Sequence, residues 1–102
     1  MDKDATFTQV PNKILEALYA TENRLTSVQF RIIIYIIREI YGFHEFNKTI
    51  SMNRMAEKLG KDKRMVYRAI NSLEEMNIIK VSHSGKGRHA IFAFCDPSEW
   101  SL

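Results

Sequence analysis

Residues 31–40 read RIIIYIIREI, and this stretch limits the fold more than any other. As a helix, Ile32, Ile33, Ile34, Tyr35, Ile36 and Ile37 cover most of the circumference, and Ile40 keeps the spacing for a further turn. A helix that is apolar nearly all round belongs at the centre of a core or is shared with a second chain. A β-branched run also suits a strand, but the spacing through Ile40 and the charges at Arg31, Arg38 and Glu39 favour helix. Arg38 and Glu39 also cut the apolar run far short of the roughly 20 residues a bilayer requires. The chain of 102 residues, 45% hydrophobic, is enough for one compact domain and too short for two.

Around that helix the pattern is readable. Pro11 starts a first helix over 11–20, carried by Ile14, Leu15, Leu18 and Tyr19. Thr26 or Ser27 caps the central helix, 27–41, and Gly42 stops it. Thr49-Ile50-Ser51 reads as a very short strand leading into a third helix, 52–59, which Gly60 ends. A fourth helix, 62–76, carries Val66, Ala69, Ile70, Leu73 and Met76 on its inward stripe. Asn77 tolerates the left-handed backbone that closes helices, and beyond it the helical period is lost. Residues 79–94 then read as a two-stranded hairpin, Ile79-Lys80-Val81-Ser82 and His89 to Phe94, linked through the turn-prone Ser84-Gly85-Lys86-Gly87. The expected fold is mainly α with a small β-hairpin, a winged helix-turn-helix over 1–102 with residues 1–8 flexible.

The third and fourth helices carry the functional signal. Ala56 lets them approach closely, and Gly60 permits the sharp turn between them. With Val66 and Ile70 inward, Lys63, Arg64, Tyr67, Arg68 and Asn71 all lie on the opposite side. Arg64 and Arg68 can read bases through the paired donors of a guanidinium, while Lys61 and Lys63 suit phosphates. Asn71 offers an amide to adenine, and Tyr67 a ring to pack on sugar or a thymine methyl. The amides at the helix start, with Ser51, Asn53 and Arg54 at the start of the third helix, can hold the strand backbone. On the hairpin, Lys86 and Arg88 beside glycines are the wing contacts.

Charge supports this reading. Between Lys48 and Arg88 ten Lys and Arg face four acids, a net +6, which leaves −3 for the remainder of a chain whose total is +3. Such segregation suits a surface that meets a polyanion. Other chemistries fit less well. His44, His83, His89 and Cys95 lack metal-ligand spacing, so neither metal nor cofactor is expected. The adjacent Glu74 and Glu75 diverge by about 100° on a helix and cannot act together as acid and base. Gly85 and Gly87 lack the strand-to-helix context of a nucleotide loop. The single cysteine, expected as an ordinary strand residue, excludes an internal disulfide and suits an intracellular setting, and the polar, acidic start does not read as a secretion signal. The expectation is a binding protein and not an enzyme.

Four stretches, FTQVPNKILEAL (7–18), RIIIYIIREIYGF (31–43), ISMNRMAEKLG (50–60) and RMVYRAINSLEEMNII (64–79), together resemble the N-terminal domain of bacteriophage replication protein O. The resemblance implies binding to repeated sites in a phage or prophage origin in the cytoplasm of a bacterial host, in association with the nucleoid. It also implies a separate C-terminal region that recruits the replicative helicase through its loader, and without that region the chain is expected to be an excised domain or a shortened prophage product. By position, the DNA-reading segment falls on 61–71 and the wing on 84–89. Two departures are Glu39, where a lysine is expected, and Asn77 in place of a common glycine.

Origin-binding to double-stranded DNA is therefore the leading expectation. A transcriptional regulator of the same fold and a protein-interaction module using the apolar second helix are its rivals. The apolar excess on Ile32 to Tyr41 adds the expectation of a homodimer that reads an inverted repeat.

Overall fold

Side chains one residue ahead of three of the four helices cap their first turns. A computed structural model describes residues 8–21, 24–43, 46, 48–83 and 89–101. In it α1 spans Asn12–Tyr19, α2 Ser27–Ile40, α3 Met52–Leu59 and α4 Lys63–Glu75. Every helix end lies within one residue of the span the periodicity suggests. Thr26 and Gln29 form a reciprocal capping box on α2: the Gln29 N–H donates to Thr26 Oγ1 at 3.1 Å, and the Thr26 N–H donates to Gln29 Oε1 at 2.7 Å. The flexibility expected of residues 1–8 falls, but for Thr8, outside the described residues.

The helix ends are equally local. A Cβ on Gly42 would collide with the carbonyl oxygen of Arg38, so the chain can turn out of α2 only with glycine there. Gly60 ends α3 at φ 66°, with its own N–H donating to Glu57 O and that of Lys61 to Ala56 O. Asn77 repeats the device after α4 at φ 59°, as Ile78 N–H reaches back to Leu73 O at 3.0 Å.

The hairpin belongs to a larger sheet than expected. Strands β1 (Ile50–Ser51), β2 (Ile79–His83) and β3 (His89–Phe94) form a three-stranded antiparallel sheet of order β1-β3-β2. Ile50 registers with Ala90 and Ser51 with His89. A two-residue strand has no period of its own to reveal a partner; paired here, it covers one edge of β3. Cys95 lies one residue past β3 instead of within it, buried, its N–H donating to Ile78 O at 3.0 Å. Burial pushes its thiol pKa up. Four helices with a small antiparallel sheet make an architecture compatible with the winged helix-turn-helix class.

The core is organised on α2. Ile32, Ile33, Ile36, Ile37 and Ile40 are all buried, in one cluster with Met55 and Ala56 of α3, Val66, Ile70 and Leu73 of α4, and Phe92 of β3. The helix is thus central but not enclosed on every side. Ile34 is 55% exposed, and with Phe30, Tyr35 and Leu59 it borders a shallow apolar groove. Most of the apolar excess that motivates pairing of two copies is therefore consumed by the chain's own core. Among the described residues no helix is long and apolar enough to cross a membrane.

An ion pair joins the two ends of the described chain. Lys13 of α1 donates to Asp96 Oδ2 at 2.7 Å, just ahead of the 3-10 turn Pro97–Glu99. The Lys13 hydrogen bond first, then the Ser98 N–H, lowers the Asp96 carboxyl from 3.8 to about 2. A depressed carboxylate pKa stabilises the fold above the unfolded value and ceases to do so as pH falls through the folded one. Lys13→Met should therefore melt lower than wild type at neutral pH, and the gap should close between about 3.8 and about 2. A gap independent of pH would show that the pair contributes nothing through charge.

Candidate nucleic-acid interface

The surface of α4 follows from its buried row. Val66, Ile70 and Leu73 stand at i, i+4 and i+7 and are at most 2% exposed. Because each helical step turns about 100°, Arg64, Arg68 and Asn71, at the same spacing, occupy the opposite row. All three are exposed, as are Lys61 and Lys63 at the helix start. Glu75 follows Asn71 by four residues on that row, so a carboxylate limits the cationic surface to its first turns.

Met65 belongs to the same surface and escaped the sequence reading. It is 46% exposed and outlines, with Asp62, Arg64 and Arg68, a recess of about 210 Å³. The signal was available, since Met65 falls off the row of Val66, Ile70 and Leu73.

Two expected contacts are spent on each other. Tyr67 is half-buried, and its hydroxyl donates to Asn53 Oδ1 at 2.7 Å, bracing α4 against α3. The ring is therefore not presented outward with Arg64 and Arg68, while Asn53 keeps its amide N–H donors for another acceptor. Ser51 caps α3, its Oγ accepting the Arg54 N–H at 3.2 Å, and its hydroxyl proton remains to be donated. Arg54 is exposed in the first turn of that helix.

The start of α4 differs from the open amide cradle expected. Asp62 is the N-cap, and its Oδ1 accepts the Arg64 N–H at 2.8 Å. A carboxylate already complements the positive end of the helix there, so a phosphate would meet like charge. Anion binding at this point falls to the Lys61 and Lys63 side chains.

Lys86 and Arg88 lie outside the described residues, together with the whole of 84–88. The pairing of Ser51 with His89 nonetheless sets the residue that re-enters β3 beside the N-cap of α3. The start of β3 and the α3 start are thus neighbours at the same end of the sheet.

The family model of bacteriophage replication protein O matches residues 1–92. No curated protein and no solved structure matches the chain. The matched span takes in all four helices, β1, β2 and most of β3, including the whole cationic surface of α4. The chain belongs to the bacteriophage replication protein O family, with a role in phage replication.

Proposed function

We propose that the chain is a winged helix-turn-helix that binds double-stranded DNA sequence-specifically at the repeats of a phage or prophage replication origin. In this reading α4 enters the major groove, where Arg64 and Arg68 address guanine edges and Asn71 adenine. Lys61, Lys63 and Arg54, with the donors of Ser51 and Asn53, hold phosphates on either side, and Lys86 and Arg88 do so from the wing. Tyr67 acts by bracing. The protein works by binding and positioning in the bacterial cytoplasm, on nucleoid DNA, without catalysis. The observation that carries the reading is the pair of opposed rows on α4, one wholly buried and apolar, the other exposed and cationic, in a chain of this family.

Duplex binding should fall steeply with salt. If Lys61, Lys63, Arg54, Lys86 and Arg88 each neutralise one phosphate, log K against log salt has a slope of about −4.5. Duplexes selected from a random pool should converge on a sequence that recurs as clustered repeats in a replication origin. Selected sequences occurring singly, ahead of genes, would turn the reading to a transcriptional regulator. Affinity indifferent to salt would leave a protein-interaction module.

A further inference from the structure

A second cationic cluster lies away from α4. It lines a groove of about 470 Å³ between the end of α2, residues Phe43 and Lys48, and the outer side of α3. Three elements contribute its cations: Arg38 from α2, Lys48 from the segment before β1, and Arg54 and Lys58 from α3. Glu39 is the single acid in the lining. It stands 3.7 Å from Lys48 Nζ, so the groove keeps an excess of three positive charges.

Two of the cations, Arg38 and Lys48, rest on an aromatic ring. Phe43 is 47% exposed, with the Arg38 guanidinium carbon 4.5 Å and Lys48 Nζ 4.4 Å from its ring centroid. A ring face attracts a cation through its quadrupole without accepting a strong hydrogen bond, so the N–H groups remain for an oxyanion. Arg54 and Lys58, four residues apart on α3, stand about 6 Å apart along the helix axis. They make a line of charge and not a single point.

We propose that this groove is a second phosphate-backbone contact, extending the duplex footprint beyond the base pairs read by α4. The inference rests on the duplex reading above. Arg54 links the two: it lies in the first turn of α3, beside the Ser51 cap and the re-entry of β3, and it also lines the groove. A backbone held at the start of α3 therefore continues along Arg54 and Lys58 toward Arg38 and Lys48. An acidic peptide is the rival occupant, but it has no reason to share Arg54 with the DNA-facing end of α3.

The test uses the whole chain with a short duplex that just covers the selected site and one extended by a helical turn on each side. The double variant Arg38→Gln, Lys58→Gln should flatten the salt slope on the extended duplex by about 1.8, at about 0.9 per phosphate lost. That corresponds to about 60-fold weaker binding at 0.1 M salt, with the short duplex unaffected. Glu39→Gln should move the extended duplex the other way, which a misfolded protein cannot imitate. Lys58→Gln alone, with an unchanged melting temperature, covers the case in which losing Arg38 disturbs Phe43. Equal slopes on both duplexes for wild type and variants would overturn the groove contact and leave the α4 reading standing. So would a loss confined to an acidic peptide probe. Failure of wild type to bind either duplex would remove both readings.

Discussion

Arg64→Ala should weaken binding to the selected duplex by on the order of 1–3 kcal/mol and leave binding to random duplex nearly unchanged. The asymmetry follows from position. Arg64 stands with Arg68 and Asn71 on the row directly opposite the buried residues of α4, where a side chain meets base edges if the helix lies in the groove. A guanidinium there makes paired hydrogen bonds to one base, and its loss falls on the sequence that carries that base. Lys63 flanks the row, so Lys63→Ala should weaken cognate and random duplexes alike and lower the salt slope by about 1. Tyr67→Phe provides the contrast. It removes the hydroxyl that donates to Asn53, so it should lower the melting temperature while leaving base preference intact. Competition binding at fixed salt on the two duplexes measures all three. Equal losses for Arg64→Ala on both would mean that Arg64 touches phosphate, and the helix would then have to be turned in its groove.

What could be read before the structure was whatever repeats along one element. The inward row of α4 and its outward counterpart are properties of a helix taken alone, as are the stops at Gly60 and Asn77. Contacts between elements were not legible in that way. Tyr67 and Asn53 are 14 residues apart and meet only because α3 and α4 cross at one particular angle, so their spacing could not warn that the ring is engaged. The pairing of β1 with β3 likewise depends on bringing Ser51 to His89 across two whole helices and a strand. The groove on Phe43 is the extreme case. Its four cations come from three elements and share no sequence period. Charge counting over 48–88 contains three of them, but Arg38 lies outside that window, in the apolar central helix. Asp62 is a different kind of miss. It was legible as a helix starter, and its effect on the amides it caps needed only the sign of its charge.

Ile36→Ala should cost on the order of 2–5 kcal/mol, against a total stability of about 5–15 kcal/mol for a domain of this kind. Ile36 is fully buried at the middle of α2, within the cluster that joins α3, α4 and the sheet. Removing its outer carbons loses their transfer free energy and leaves a cavity whose walls belong to different elements and cannot collapse together. DNA binding would weaken too, though no DNA contact is touched, because α4 is presented only while Val66, Ile70 and Leu73 remain packed on α2. Ile34→Ala, two residues earlier and 55% exposed, should change stability by less than about 1 kcal/mol. Urea titration separates the two through a large midpoint shift for Ile36→Ala and a small one for Ile34→Ala, at an unchanged slope. The same pair decides whether α2 serves its own core or a second copy. A dimer seated on the Ile34 groove would make stability rise with protein concentration, and Ile34→Ala would abolish that rise. Concentration-independent midpoints for wild type and both variants leave α2 as the internal beam of a monomer, and the reading of an inverted repeat by paired copies would then lose its basis.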